Sequence, residues 1–365
     1  MTKYLNKFTE HVDVSNDDGL HALIMSFSRA SFQARNLSRC VDVYRQMLSD
    51  DEAVIFLGLA GALVPAGMRK IIVDLMQHHF IDVLVSTGAN LFHDFFEAVG
   101  YHHYLGNSWA DDLELRKAKI NRIYDTYMSD IEFSRAERKI AEIASGLEQR
   151  VYSSREFLEY LADEIDDGQS ILYTARKEGI PIFCPALCDS AIGIALTHHY
   201  IKSNSGSRLI IDQIRDNFEI LQIMNKAART GAFYLGGGVP KNYIQQLNPM
   251  HEAFGFRKEG HKYFVQLTTD DPKFGGLSGC TAGEAESWGK VASDGLSANA
   301  YVDATIGLPL LAGAVLNHPA PIVRSGRTEL KWLETLDSGS IGAGSLRKKR
   351  NFCWKGDVLE ELKIE

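Results

Sequence analysis

Cysteine is scarce. The 365 residues hold five, at Cys40, Cys184, Cys188, Cys280 and Cys353, an odd and scattered set. That excludes the disulfide framework of a small secreted domain and points to reduced thiols in the cytoplasm. Cys184 and Cys188 are spaced like half of a metal site, but Pro185 lies between them and no second pair exists, so they read as buried structural thiols and no metal is expected. Long hydrophobic runs are missing too. None approaches the ~20 residues that span a bilayer, and the opening MTKYLNKFTEHVD has no apolar signal core. Positive charge is in short supply: 39 Lys and Arg against 47 Asp and Glu leave a net charge of −8, and the one basic block, Arg347–Lys348–Lys349–Arg350, reads as a solvated tail. Neither a nucleic acid nor a membrane is expected as partner. A modest acidic balance suits a cationic substrate without singling one out. The chain contains no internal repeat and no complete G-x-G-x-x-G, so the ordinary dinucleotide fingerprint is absent.

What is present is an alternation of short apolar runs, glycine turns and amphipathic stretches. Ala53–Leu59, Ile81–Thr87, Ile180–Cys184, Ala232–Leu235, Tyr263–Thr268 and Ala298–Val302 read as strands. Helical patterns fall at Leu20–Leu48, Met68–Phe80, Leu91–Val99, Arg135–Leu147, Ser154–Ile165, Ser170–Lys177, Ile192–Tyr200, Leu209–Ala228 and Thr305–Leu316. The strand–Gly–helix rhythm predicts an α/β fold with a doubly wound, mostly parallel sheet of about six strands. Residues 1–50 read as an N-terminal helical extension, 51–318 as the α/β domain with a charge-rich insertion over 100–150, and 319–365 as an extended tail containing LDSGSIGAGS.

In such a sheet, ligands bind beyond the carboxyl ends of the strands. The candidate positions are Gly58–Gly67, Ser86–Asn90, Asp189, Gly236–Gly238 and Asp303–Ala304. Backbone amides at glycine turns and helix starts can hold a pyrophosphate, and an Asp at a strand end can accept bonds from ribose hydroxyls. The same glycines would serve equally as tight turns. The adjacent pairs His78–His79, His102–His103 and His198–His199 read as helix-surface residues, since neighbours in a helix point about 100° apart. His93, near the proposed ligand segment, has a modest claim to function.

The stretch Gly275–Val291, GGLSGCTAGEAESWGKV, carries the most chemistry. Thr281 and Glu284 have the spacing of a capping box, so a helix starts at Thr281. Gly289 interrupts it and Lys290 follows. A lysine packed beside the Trp288 indole would be desolvated, which favours the free amine that a nucleophile needs. Periodicity alone favours a surface lysine after a helix C-cap.

The run Glu284–Ala285–Glu286–Ser287–Trp288–Gly289–Lys290 resembles the active-site segment of the deoxyhypusine synthase family. Phe32–Leu37 (FQARNL), Phe56–Gly58, Asp82–Gly88, Ile180–Leu187, Leu235–Val239 and Tyr301–Ala304 resemble further family segments in the family's order, over roughly residues 20–318. The resemblance implies a Rossmann-like fold and an NAD-dependent aminobutyl transfer from spermidine. Lys290 would be the imine-forming residue. Glu284, Trp288, Asn242, Gln246 and Ser278 would contact the substrate, and Thr87, Gly88, Asp189, Gly237, Gly238, Asp303 and Ala304 would hold NAD. It also implies a homotetramer, with the hypusine-bearing translation factor as a partner.

Departures from the family pattern sit around the polyamine site. Eukaryotic members have Asp where this chain has Ile194 and Leu277, His at Asn242 and Asn at Gln246, and polar side chains where Ala60–Gly61–Ala62 stands. Each missing acid forfeits a charge-assisted hydrogen bond of about 1.5–3 kcal/mol. Three readings therefore stand: transfer to a protein lysine, homospermidine synthesis with putrescine as acceptor, and a catalytically silent NAD-binding assembly protein.

Overall fold

A computed structural model describes residues 7–15, 19–203, 208–253, 259–325, 332, 351–355 and 358–362. Residues 1–6 and 16–18 of the N-terminus, the LDSGSIGAGS stretch and the basic block Arg347–Arg350 lie outside the described residues. Six strands form the central sheet: β1 (Ala53–Leu59), β2 (Val83–Ser86), β3 (Ile182–Phe183), β4 (Arg229–Leu235), β5 (His261–Thr268) and β6 (Val291–Tyr301). All neighbouring pairs are parallel, and the strands lie in the order 3-2-1-4-5-6. This is the doubly wound arrangement that the strand–turn–helix rhythm implies, and its order reverses between β1 and β4.

The apolar runs explain why the sheet is parallel and central. Every residue of β1 is buried, as expected of a strand covered on both faces. Alternate side chains go to different cores. Ile55, Leu57, Phe233 and Leu235 join the cluster beneath the helices Phe32–Leu48, Arg69–Gln77, Gly88–Ala98 and Ala304–Leu316. Val54, Phe56, Ala232 and Tyr234 join the cluster beneath Gln213–Lys226 and Gly238–Ala253.

Three differences from the sequence reading have physical causes. Helix Gly238–Ala253 was not anticipated, because Pro240, Pro249 and its amide-rich stretch score as a turn; burial of Ile244 and Leu247 overrides that propensity. Strand β6 begins at Val291 rather than Ala298, since its polar first half pairs with β5 across a register shift near His261 and Tyr263. The 100–150 region is more than one helix: Tyr104–Leu105, Ile120–Ile123 and Thr126–Ser129 form an antiparallel sheet ahead of helix Asp130–Gly146. Of the two neighbouring thiols, Cys184 is buried but Cys188 is exposed, because the chain leaves the sheet at Pro185 and turns out into a loop. No helix among the described residues is long and apolar enough to cross a membrane.

The start of the expected tail is part of the fold. Arg324 is almost fully buried, donates to the carbonyl oxygens of Leu48, Asp50, Ala53 and His79, and pairs with Asp82 at 3.1 Å. A backbone hairpin of Asn351–Lys355 with Val358–Leu362 follows.

The histidines also depart from the surface reading. His103 lies on a loop, bonded to Glu97 at 2.6 Å and to His93 at 2.9 Å. His199 is buried against Ser145 and Gln149. His261, wholly buried, lies 3.2 Å from the Ile244 carbonyl and 2.8 Å from the Thr230 hydroxyl, so its Nε2 carries the proton. Burial, and for His93 also the neighbouring His103, pulls both His93 and His261 down to about 4. The unfolded chain protonates each near 6.5, whereas the folded chain stays neutral down to about 4. Stability therefore falls as pH drops from about 6.5 towards 4, by about 2 kcal/mol per histidine at pH 5. Denaturant melts at pH 7.5 and pH 5 check this, and His261→Gln should flatten the acid limb. An unchanged slope in that variant would rule out His261 as a source.

Candidate active site

The point where the strand order reverses is framed by the turns after β1 and β4. The two lie side by side: Ala60 N donates to Leu235 O, and a side chain on Gly236 would press against the Ala60 methyl. Gly61, Gly236 and Gly238 have positive φ, and open space lies beside Gly61 and Gly238. Backbone can approach a ligand there where a side chain would intervene.

Asn90, fully buried in the first turn of helix Gly88–Ala98, shapes the β1 turn. Its Oδ1 accepts from Leu63 N at 2.7 Å and Val64 N at 3.2 Å, and its Nδ2 reaches Ala60 O at 3.3 Å. Thr87 caps the same helix and donates to Gly61 O at 2.8 Å. An amide and a hydroxyl from the start of the helix after β2 thus hold the backbone of the Ala60–Val64 turn. Gly88 packs so closely on Ser190 that any side chain would collide with it, which brings Asp189 to the same rim. Asp189 is exposed on the loop after β3. Asp303 caps helix Ala304–Leu316, accepting from Thr305 N at 2.8 Å and from the Thr305 hydroxyl. Helices therefore begin at Gly88, Gly238 and Ala304, beyond the carboxyl ends of β2, β4 and β6, with their partially positive ends at this rim.

The loop after β5 folds over the β4 turn. Ser278 Oγ accepts from Gly238 N at 2.9 Å, and a side chain on Gly237 would collide with Ser278. Thr281 then caps helix Ala282–Glu286 by accepting from Glu284 N at 3.1 Å, as its spacing predicts. The helix closes in a Schellman turn: Lys290 N donates to Ala285 O, Gly289 N donates to Glu286 O, and Gly289 takes φ +66°. Glycine is needed at that position, and Lys290 becomes the residue at which the chain enters β6.

Lys290 Nζ stands 5.2 Å from the Trp288 ring centre and forms no ion pair among the described residues. The enclosure expected of Trp288 is not found in this chain: the indole is 65% exposed and Glu284 is exposed. The helix is so short that Ala285 is the side chain it buries. Asn242, Gln246 and Leu277 line one groove of about 630 Å³ with Val239, Tyr243 and Met250, and no charged side chain lines it among the described residues. Ile194 lies elsewhere, exposed on helix Ala191–Lys202.

Three site residues escaped the sequence reading: Asn90 as a hub, Lys241 and Gln266. Lys241 is buried, with Nζ 2.9 Å from Gln266 Oε1 and 2.5 Å from Cys280 O. Burial pulls it down to about 8. For Gln266 the signal in the sequence is a polar residue inside the apolar run Tyr263–Leu267; Asn90 and Lys241 have none.

The model of the family described as deoxyhypusine synthase matches residues 22–315. A relative from Methanosarcina acetivorans, named "Probable deoxyhypusine synthase 2", is 44% identical over 316 residues, 86% of this chain and 90% of its own. One of the same name from Archaeoglobus fulgidus is 44% identical over 291 residues, covering 79% and 95%. The "Deoxyhypusine synthase-like protein" of Chlorobaculum parvum is 38% identical over 346 residues, covering 93% and 97%. A crystal structure of a "putative deoxyhypusine synthase" from Entamoeba histolytica shares the fold with a TM-score of 0.58 at 17% identity, covering 87% of this chain and 99% of that one.

Proposed function

The chain belongs to the deoxyhypusine synthase family of transferases, and on that premise we propose that it transfers the aminobutyl group of spermidine, through Lys290, to an acceptor amine with the help of NAD. The observation that carries this reading is Lys290 itself. A glycine-dependent turn presents it at the mouth of β6, its amine lies over an indole, and no carboxylate pairs with it among the described residues.

The cofactor rim suits a dinucleotide. The open glycine turns and helix starts at Gly88, Gly237–Gly238 and Ala304 would hold the pyrophosphate, while Asp189 and Asp303 would accept from ribose hydroxyls. NAD, when bound, supplies reversible hydride acceptance, so the overall transfer is redox-neutral. Thr87 and Asn90 keep the β1 turn in shape beneath it.

Lys290 Nζ makes the transient bond. With bound NAD as hydride acceptor, the carbon beside spermidine's secondary nitrogen would first reach the imine level. Lys290 Nζ would then add to that carbon, and the departing nitrogen would take the lysine's proton and leave as diaminopropane. The aminobutyl group would stay on Lys290 as an imine, and the hydride would return to the product imine after transfer. The acceptor amine then displaces Lys290 in the same manner. Trp288 offers a ring face to the methylene chain or to an ammonium, and Glu284 a carboxylate to a terminal amine. The groove bounded by Asn242, Gln246 and Leu277 has no charged side chain among the described residues, so it offers amide and apolar contacts in place of acids, and transfer to a small diamine stands beside transfer to a protein lysine. A homotetramer belongs to the same reading, since Phe274, Leu277 and Trp288 leave apolar surface for another copy to cover.

Incubation with NAD and spermidine, with and without putrescine, tests all of this. Diaminopropane should appear only when NAD is present. Homospermidine in the putrescine arm selects the diamine acceptor, and a labelled hypusine-bearing translation factor selects the protein lysine. Binding of NAD with no diaminopropane in any arm would leave the silent assembly role. A monomer mass by light scattering on the same sample would remove the tetramer.

A further inference from the structure

We propose that Lys241 is a positioning residue of this reaction: it clamps the Ser278–Cys280 loop onto the Gly236–Gly238 turn and so sets where Lys290 stands. The proposal rests on the functional reading above. Lys241 lies in the first turn of helix Gly238–Ala253 and is 2% exposed. Its Nζ donates to Gln266 Oε1 at 2.9 Å, to Cys280 O at 2.5 Å and, more weakly, to Ser278 O at 3.5 Å. Gln266 completes the clamp from β5, its Nε2 donating to Gly236 O at 2.8 Å and to Ser278 O at 2.7 Å. Two buried side chains thus tie the turn after β4 to the loop after β5. From Cys280 onward the chain is held by its own short-range bonds through the cap, the helix and the Schellman turn to Lys290. A shift of the loop would therefore be passed along ten residues to the amine.

Stability does not explain this lysine. Its hydrogen-bond acceptors are all neutral, and among the described residues it forms no ion pair. Burying a lone ammonium is costly, and an apolar side chain of similar volume packs without that cost. The charged and titratable groups that face it are Cys280 and Glu284 on the loop and helix, Asp270 after β5, and Lys290, which opposes its charge. The Phe264 ring lies 5.5 Å away. As an ammonium, Lys241 has three protons for three oxygens; as an amine it has two. The clamp should therefore loosen above pH 8.

The test uses Lys241→Met, with Lys241→Gln as the second variant should the first fail to fold. Amide exchange over residues 278–290 should speed up at least about tenfold while the melting temperature stays level or rises. The turnover number for diaminopropane release should fall at least about tenfold, with KM for spermidine within about threefold. The wild type should lose activity on an alkaline limb near pH 8 that both variants lack. Unchanged exchange, unchanged turnover, or a loss of turnover that merely follows a lower melting temperature would each overturn the proposal. A wild type that releases no diaminopropane would instead sink the functional reading, and the exchange comparison would still decide whether the clamp exists.

Discussion

Lys290→Arg should abolish the proposed aminobutyl transfer, by at least roughly a thousandfold, and leave NAD binding within about twofold of the wild type. The chemistry demands a neutral amine on a primary carbon. Arginine stays protonated at any pH the protein survives and cannot form the bond to the aminobutyl carbon. The substitution should not disturb the fold. Lys290 is held by its backbone, with N bonded to Ala285 O and O accepting from His261 N and Asn248 Nδ2, while its side chain lies at the surface beside Trp288. The variant thus separates nucleophile from scaffold. Borohydride trapping with labelled spermidine and NAD should mark Lys290 in the wild type and nothing in the variant. Full activity in Lys290→Arg, or a label on another residue, would show that this chain does not use its Trp-Gly-Lys run as proposed.

The second large effect is on stability. Arg324→Ala should cost about 3–5 kcal/mol, the usual consequence of removing one partner from a buried ion pair. Arg324 and Asp82 are each about 4% exposed at the side chain, and Arg324 also donates to the carbonyls of Leu48, Asp50, Ala53 and His79. Its loss leaves those oxygens and the Asp82 carboxylate without these donors, although Asp82 keeps its bond from Ile55 N at 2.8 Å. Urea titration reads the change as a lower midpoint at unchanged slope. The double variant Asp82→Ala, Arg324→Ala should lose less than the sum of the two singles, since both singles remove the same contact. A cost below about 1 kcal/mol for Arg324→Ala would mean that the pair behaves like an exposed one.

Arg324 also marks where sequence reading fails. It lies in a stretch of proline, glycine and charge that local patterns assign to a loose tail, yet it closes over the ends of β1 and β2 more than 240 positions away. Lys241 is similar. Its neighbours in sequence include two prolines and several amides, and nothing local announces a buried ammonium. Asn90 reads as one more polar residue at a helix start, although its amide supports the turn of a different strand.

The sequence by itself determined what depends on neighbours a few positions apart. Continuous apolar runs such as Ala53–Leu59 made strands that must be buried on both faces. The Thr281–Glu284 spacing made a capped helix, and Gly289 made the Schellman turn that ends it beside Lys290. Only the tertiary structure decided which polar groups meet across the chain: Ser278 on Gly238, Lys241 and Gln266 on the Ser278 carbonyl, Gly88 against Ser190, Arg324 on Asp82. It also decided that Trp288 stands in solvent in the single chain. The reason is physical. Backbone periodicity and capping are short-range and leave a repeating trace in the sequence, whereas a buried polar contact is specified by the packing of several segments at once and leaves none.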